Sequence, residues 1–276
     1  MGIEQRVIET SHGRISIKET DGKGHAVLFI HGNSSCKEVF RQQFDSELGR
    51  QYRLIAMDLP GHGESENASN PERSYTIPAY AETAVEVLHA REAENAVVLG
   101  WSLGGHIGIE MIHRLPEMRA LTFSGTPPAG PGMEELSAAF TPQPHMNLTS
   151  KEVFSQEDVE VYAKYTCGVD LPPDPVLTAA VKRTDGIARR TMFESFAVDC
   201  VGYPQRQAVE TWDRPIAVIQ GSDEPFFDNA YLEGIKWGNL WEGRIHIVEG
   251  GGHAPFWAKP DAYNEILARF LKDVTA

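Results

Sequence analysis

Ser102 lies where an apolar run gives way to a glycine-rich, helix-like pattern. The segment VVLGWSLGGHIGIEM places Gly100 two residues before this serine and Gly104 two residues after it. A strand that turns directly into a helix around Gly-x-Ser-x-Gly forms a nucleophile elbow, in which the turn is too tight for larger side chains at the two flanking positions. We therefore expect the Ser102 hydroxyl to project over the end of a sheet, at a helix N-terminus that favours negative charge. The alternative is a serine that only caps the helix.

A serine hydroxyl becomes an effective nucleophile only when a base removes its proton. His253 is placed to be that base, because it follows a strand-like run and three glycines near the end of the chain, in RIHIVEGGGHAPF. A carboxylate between the serine and the histidine in chain order must then orient the imidazole. The segment PIAVIQGSDEPF offers two candidates, Asp223 and Glu224. These residues predict a serine, histidine and acid triad.

The oxyanion of a tetrahedral intermediate needs hydrogen-bond donors. One is expected from the backbone N–H of the residue after the nucleophile, Leu103, and the other from a loop that follows an early strand. The segment FIHGNSS fits this second position, since Gly32 lets the backbone turn inward and present the N–H of Asn33. We interpret the neighbouring His31 as a packing residue beneath the loop.

Composition restricts the partners and the compartment. The chain has 39 acidic and 25 basic residues and a net charge of −14, which disfavours nucleic acids and anionic membranes. A neutral or apolar small molecule fits this surface better. The three cysteines are far apart and match neither a disulfide framework nor a metal site, and we find no signal or membrane-spanning segment. We expect a cytoplasmic protein. The sequence leaves its oligomeric state open and is compatible with a monomer.

Eight short segments have the character of strands. The first two, RVIET and GRISIKE, alternate apolar and polar residues and predict a hairpin. The other six are nearly continuous apolar runs, as expected for a parallel sheet covered on both faces: HAVLFIHG, RLIAMDLPGHG, AVVLGWS, ALTFSG, RPIAVIQG and RIHIVEGGGH. Helical patterns lie between or after them at Phe40–Arg50, Ile77–Ala90, Leu103–Arg114 and Pro260–Lys272. This alternation predicts an α/β fold with helices on both faces of a mostly parallel eight-stranded sheet.

Residues 127–211 interrupt the alternation. The proline-rich stretches PPAGPG, TPQPH and LPPDP surround helical patterns there, and the segment is too long for a structureless loop. We predict a helical cap inserted after the sixth strand, over a core formed by residues 1–126 and 212–276.

Four motifs, HGNSS, DLPGHGES, GWSLGGH and GGHAPF, together resemble the α/β-hydrolase-fold enzymes over essentially the whole chain. In that fold the acid commonly falls three residues after the glycine that ends its strand, which favours Glu224 over Asp223, although an aspartate is more usual. The segments GWSLGGHIGIEMI, RALTFSGTPP, DEPF and GNLWEG are more narrowly similar to the N-acyl-homoserine lactonases of this fold, which hydrolyse bacterial quorum-sensing signals. That resemblance implies a triad of Ser102, Glu224 and His253, with a glutamate as the expected acid.

The same resemblance implies an acyl-transfer reaction on a small acyl lactone, without a metal or other cofactor. It also implies a polar aromatic residue of the cap at the substrate, for which Tyr162 is our candidate, although packing within the cap would explain this residue equally well. We assign Trp101, beside the nucleophile, to substrate binding as well. Other cap aromatics are expected to line an apolar groove for the acyl chain: Phe140, Phe154, Tyr165, Phe193 and Phe196.

Two other classes of function stay open. A carboxylesterase, a carbon–carbon bond hydrolase or a perhydrolase on the same scaffold would use the same triad. A ligand-binding receptor on this fold would not need a complete triad, and every member is present here. Dehalogenases and epoxide hydrolases are excluded, because they require an aspartate where this chain has Ser102.

Overall fold

The computed structural model describes residues 2–167, 172 and 174–276, which contain an eight-stranded sheet with the order β1-β2-β4-β3-β5-β6-β7-β8. The strands are β1 (Ile3–Thr10), β2 (Gly13–Thr20), β3 (Ala26–Ile30), β4 (Arg53–Met57), β5 (Val97–Trp101), β6 (Ala120–Ser124), β7 (Ile216–Gly221) and β8 (His246–Val248). Strand β2 pairs antiparallel with β1 and with β4, whereas the remaining neighbours are parallel. The predicted hairpin and the mostly parallel sheet are confirmed.

Helices follow or precede most strands. They are α1 (Arg41–Phe44), α2 (Glu47–Gln51), α3 (Pro71–Ser74), α4 (Ile77–Ala90), α5 (Leu103–Met111), α6 (Met133–Ala139), α7 (Gln156–Cys167), α8 (Pro175–Arg183), α9 (Gly186–Ala197), α10 (Gln205–Thr211), α11 (Asn229–Glu233), α12 (Pro255–Ala258) and α13 (Pro260–Thr275). Helix α4 has the predicted bounds, because the Thr76 hydroxyl accepts from the Ala79 N–H and fixes its start. The helix predicted over residues 40–50 is wrong: α1 ends first, and Ser46 caps a new helix, α2.

The sheet is covered on both faces because alternate residues of its central strands point in opposite directions. In β3, Leu28 and Ile30 join an apolar cluster that includes residues of α4 and α5. Val27 and Phe29 join a second cluster that includes α13 residues. The apolar composition of the run therefore serves two cores, as the sequence predicts for a parallel sheet.

The chain between β6 and β7 is mostly helical and contains α6 to α10. Part of this insertion has an apolar cluster of its own, in which Leu148, Val159 and Val181 pack together with Tyr162. The insertion lies at the end of the sheet where β5 turns into α5, since several of its residues share a cavity with Ser102. None of the helices in the described part of the chain is long and apolar enough to cross a membrane.

Candidate active site

The turn between β5 and α5 holds Ser102 in a backbone conformation that side chains rarely adopt, with φ of +54° and ψ of −118°. A Cβ atom on Gly100 would lie 2.2 Å from the carbonyl oxygen of Gly104, and one on Gly104 would lie 2.0 Å from that of Ile30. Both positions therefore exclude any side chain. A strained non-glycine residue costs about 1–3 kcal/mol and persists only where its surroundings fix it. Here the Ser102 N–H donates to the carbonyl of Ser124 at 2.9 Å.

The hydroxyl of Ser102 is not used as a helix cap. It accepts no hydrogen bond from the first turn of α5, although Ser102 is the residue that precedes the helix. The side chain is partly exposed and lines a cavity. This arrangement favours the elbow interpretation over the alternative of a capping serine.

His253 faces a buried carboxylate that belongs to Glu224. The Nδ1–H of His253 donates to the two carboxylate oxygens of Glu224, each 2.9 Å away. The side chains are 5% and 1% exposed, respectively. Asp223 points to solvent instead, where its carboxylate accepts from the Ser222 hydroxyl. Because Nδ1 carries the proton, Nε2 has a free lone pair, as a general base requires.

Further contacts fix the carboxylate of Glu224. Its Oε1 accepts from the Phe226 N–H at 3.0 Å, and its Oε2 accepts from the side-chain amide of Gln220 at 2.9 Å. Gln220 in turn accepts from the Gly125 N–H at 2.9 Å. Sequence reasoning missed Gln220, since a glutamine within an apolar strand has no motif to mark it.

The imidazole of His253 is confined by its neighbours. A Cβ on Gly125, whose φ is +63°, would lie 2.7 Å from the His253 Cε1, so only glycine fits beside the ring. The Phe226 ring packs edge-on at 4.5 Å between centroids. Trp101 donates its Nε1–H to the His253 carbonyl at 2.8 Å. Trp101 is 1% exposed and does not line the cavity, so the predicted contact with substrate is replaced by a contact that fixes the histidine loop.

The two predicted oxyanion donors are brought to the nucleophile. Asn33 and Leu103 both line the cavity together with Ser102. The loop contacts the elbow closely, since a Cβ on Gly32 would lie 3.2 Å from the Cβ of Ser102. No hydrogen bond among the described residues uses the backbone N–H of Asn33 or of Leu103. Both amides are therefore available to a developing negative charge.

The Asn33 side chain connects its loop to the helical insertion. Its Nδ2 donates to the carbonyl of Thr149 at 3.0 Å, and its Oδ1 accepts from the Ser34 hydroxyl at 3.1 Å. Ser34 has a φ of +54° and is buried, so this loop also stores backbone strain.

Arg189 on α9 extends this connection. Its guanidinium donates to the Ser34 hydroxyl at 3.3 Å and to the carbonyls of Lys151 and Glu152 at 2.9 and 3.1 Å. It also lies over the ring of Phe154, 3.8 Å from the centroid. Phe154 is therefore a partner of the arginine and does not line the cavity, contrary to its predicted place in the groove. The sequence carries no signal for Arg189, because its partners are backbone carbonyls far along the chain.

The cavity above Ser102 has a volume of about 420 Å³. The predicted aromatic residues Phe140, Tyr165, Phe193 and Phe196 line it, along with methionine and leucine side chains of the insertion. A concave, mostly apolar pocket with a few convergent polar groups is typical of a small-molecule site.

Tyr162 reaches this cavity from α7. It is 6% exposed, and its hydroxyl donates to the carbonyl of Asn33 across 3.4 Å. Burial raises the pKa of Tyr162, so the hydroxyl stays protonated and can donate. The residue packs in the insertion's core and also lines the cavity.

Comparison with known proteins places the chain within a family. Residues 27–266 match the sequence model of the alpha/beta hydrolase family. The chain belongs to the alpha/beta hydrolase family. In this hydrolase the elbow, the histidine after the last strand and the early loop occupy the positions that the fold assigns to nucleophile, base and oxyanion donor.

Several relatives of this hydrolase are known. A crystal structure of the N-acyl homoserine lactonase AidH complexed with N-butanoyl homoserine is 47% identical, has a TM-score of 0.94, and covers 99% of this chain and 97% of its own. The pimeloyl-[acyl-carrier protein] methyl ester esterase of Xanthomonas axonopodis pv. citri is 28% identical over 92% of this chain and 97% of its own. The carboxylesterase CesB of Bacillus subtilis, at 18% identity with a TM-score of 0.79 over 98% of this chain and 92% of its own, shares the fold.

Proposed function

We propose that this alpha/beta hydrolase opens the lactone ring of N-acyl homoserine lactones. The observation that carries the proposal is the 47% identity, over nearly the full length of both chains, to the lactonase AidH. A serine-to-glycine mutant of AidH is complexed with intact N-hexanoyl homoserine lactone, whereas AidH itself is complexed with N-butanoyl homoserine, a ring-opened compound. This difference supports a serine nucleophile in the relative and, by similarity, in this chain.

The reaction begins with attack by Ser102. His253 Nε2 takes the hydroxyl proton while Oγ bonds to the lactone carbonyl carbon, and the carbonyl oxygen becomes an oxyanion. The backbone N–H groups of Asn33 and Leu103 stabilise that oxyanion. Removing one such donor typically costs about 2.7–4 kcal/mol of transition-state stabilisation. Glu224 holds the imidazolium that forms at His253.

Collapse of the intermediate breaks the ring ester bond and leaves an acyl-enzyme. His253 gives its proton to the departing ring oxygen, which becomes an alcohol tethered to the acyl group. That alcohol can attack again and close the ring, so hydrolysis requires that His253 activate a water molecule. His253 takes a proton from this water as its oxygen bonds to the acyl carbon. It then returns the proton to Ser102 Oγ as the bond between Oγ and the acyl carbon breaks, and N-acyl homoserine is released.

The helical insertion, residues 127–211, is proposed to act as the cap, with residues 1–126 and 212–276 as the catalytic core. Its aromatic residues line the cavity beside Ser102, which suits a fatty acyl chain. Each buried methylene contributes about 0.8 kcal/mol. Tyr162, on the same insertion, is proposed to exchange its long hydrogen bond to the Asn33 carbonyl for one that it donates to the substrate.

A pH-stat comparison of acyl-homoserine lactones with aryl esters of matched acyl length tests this function. We expect a higher kcat/KM for the lactones and loss of activity in Ser102→Ala with an unchanged melting temperature. Equal or faster hydrolysis of the esters would favour a carboxylesterase. The similarity to the Xanthomonas esterase supports that alternative function. Unchanged turnover in Ser102→Ala would overturn the role of the elbow.

A further inference from the structure

His106 is a polar ring in the apolar part of the cavity. It lines the cavity but is only 8% exposed. The rings of Phe140 and Phe196 lie 6.3 and 6.1 Å from its own ring, between centroids. The mechanism proposed above does not use this histidine.

The hydrogen bond to Gln205 determines which atom His106 offers to the cavity. Its Nδ1 lies 2.7 Å from the Oε1 of Gln205, and with the Gln205 amide in this orientation the oxygen accepts, so Nδ1 carries the proton. Nε2 then has a lone pair, and it makes no hydrogen bond among the described residues. Burial lowers the pKa of His106 to about 4, so the ring is neutral near pH 7 and offers an acceptor.

The position of His106 along α5 indicates which part of a substrate it faces. His106 lies one helical turn beyond Ser102, to whose carbonyl its N–H donates at 3.3 Å. The four residues from Ser102 to His106 correspond to a rise of about 6 Å along the helix axis. In an acyl-homoserine lactone the amide nitrogen is two bonds from the attacked carbonyl carbon, whereas the third acyl carbon is five bonds away. The aromatic surroundings of His106 also suit the acyl chain better than the amide.

We propose that His106 is a specificity residue that accepts a hydrogen bond from a hydroxyl on the third carbon of the acyl chain. The inference rests on the proposed lactonase function. An acceptor held among aromatic rings and 8% exposed is poorly hydrated, and a substrate hydroxyl supplies the hydrogen bond that it lacks. A ketone at the same carbon has no proton to donate and leaves two acceptors facing each other. The site thus selects β-hydroxyacyl over β-oxoacyl lactones.

The test compares N-hexanoyl, β-hydroxyhexanoyl and β-oxohexanoyl homoserine lactones in a pH-stat. In the unmodified enzyme we expect kcat/KM to be about three- to tenfold higher for the hydroxy substrate than for the oxo substrate, as one neutral hydrogen bond provides. His106→Phe keeps a ring between the two phenylalanines but removes the acceptor, so this ratio should fall to about one. His106→Gln offers both a donor and an acceptor, so the values of kcat/KM for the hydroxy and oxo substrates should become similar.

His113→Phe is the matched control, because His113 lies just beyond α5, stacks on Tyr203 and does not line the cavity. It should retain the ratio of the unmodified enzyme. If no lactone is hydrolysed, the proposed function itself fails. If lactones are hydrolysed but the ratio favours the oxo substrate or is the same in His106→Phe, the role of His106 is overturned.

Discussion

The carboxylate of Glu224 accepts hydrogen bonds from three groups, on His253, Phe226 and Gln220. A glutamine at this position presents either an N–H to the imidazole or a neutral oxygen, so it neither fixes the productive tautomer nor balances the imidazolium. By analogy with serine proteases, where the corresponding change costs about 10⁴-fold, we expect Glu224→Gln to lower kcat by about 10³-fold or more.

Asp223→Asn is the matched control for this prediction. Its carboxylate is exposed and contacts only a neighbouring serine hydroxyl among the described side chains, so kcat should change by less than about twofold. Both variants are compared by initial rates on the best lactone substrate. A larger loss in the aspartate variant would move the acid by one residue.

At single positions, the sequence was informative where the chemistry depends on chain order and turn geometry. The glycines around Ser102 follow from such local constraints, whereas the preference for Glu224 over Asp223 came from the resemblance to the α/β-hydrolase-fold enzymes. Trp101 shows the limit, because sequence adjacency to the nucleophile does not say which way a strand residue faces. His106 is held by Gln205, and Gln220 accepts from the Gly125 N–H, and a single sequence does not pair residues so far apart along the chain.

Between elements, Arg189 links α9 to the loop that carries Asn33, the proposed oxyanion donor. Its bonds reach Ser34 and two backbone carbonyls of the insertion. Lysine keeps the charge but loses the planar set of donors. We expect Arg189→Lys to lower kcat by about tenfold with a smaller change in KM, since the donor is displaced more than the binding groove.

Arg190→Lys is the control for that variant, because the Arg190 guanidinium is half exposed and pairs with Glu152 and Glu194 at the surface. It should leave kcat within about twofold. In addition, Ser34→Ala combined with Arg189→Lys should cost less than the sum of the single changes, as expected for residues in one network. Additive losses in kcat would contradict coupling through Ser34.

The arrangement of elements was predictable where a pattern has a local cause. Helix α4 has a threonine cap and a full apolar face, so its bounds could be predicted. The segment over residues 40–50 has helical spacing throughout. The Ser46 side chain, however, accepts a hydrogen bond from the backbone N–H of Leu48, which starts a new helix and divides the segment. The link from α9 to the early loop depends on tertiary packing and has no counterpart in local patterns.

In the molecule as a whole, buried neutral histidines make stability depend on pH. Burial lowers the pKa of His31 to about 4, of His62 to about 3 and of His106 to about 4. The unfolded chain, with histidine pKa values near 6.5, binds protons that the folded chain does not. The stabilisation is complete above about pH 6.5 and is lost as the pH falls toward 4, by about 1.4 kcal/mol per pH unit for each histidine.

Urea unfolding at about pH 7 and about pH 5 measures this effect. We expect a lower midpoint at the acidic pH, and a smaller pH dependence in His62→Phe, which removes one of the three groups. His25→Phe is the control, because that ring is only partly buried and its hydrogen bond to the Asn95 carbonyl lies at the surface. A midpoint that rises toward pH 5 would contradict the sign of the prediction.

The fold as a whole was predictable because strand and helix patterns alternate along most of the chain. Composition excluded polyanionic partners but could not supply a substrate. The choice of lactone came from resemblance, and similarity to AidH over nearly the whole chain now supports it.

The bond from Asn33 to the carbonyl of Thr149 couples the timing of two events. A substrate that entered by displacing this segment of the insertion would also loosen the loop that presents the proposed oxyanion donor. The enzyme would then be least reactive while it is open and would regain its donor only as the segment returned. Other esters that prevent the segment from closing would be bound without the oxyanion donor in place. The enzyme would then discriminate by how long a molecule remains bound as well as by how well it fits the cavity.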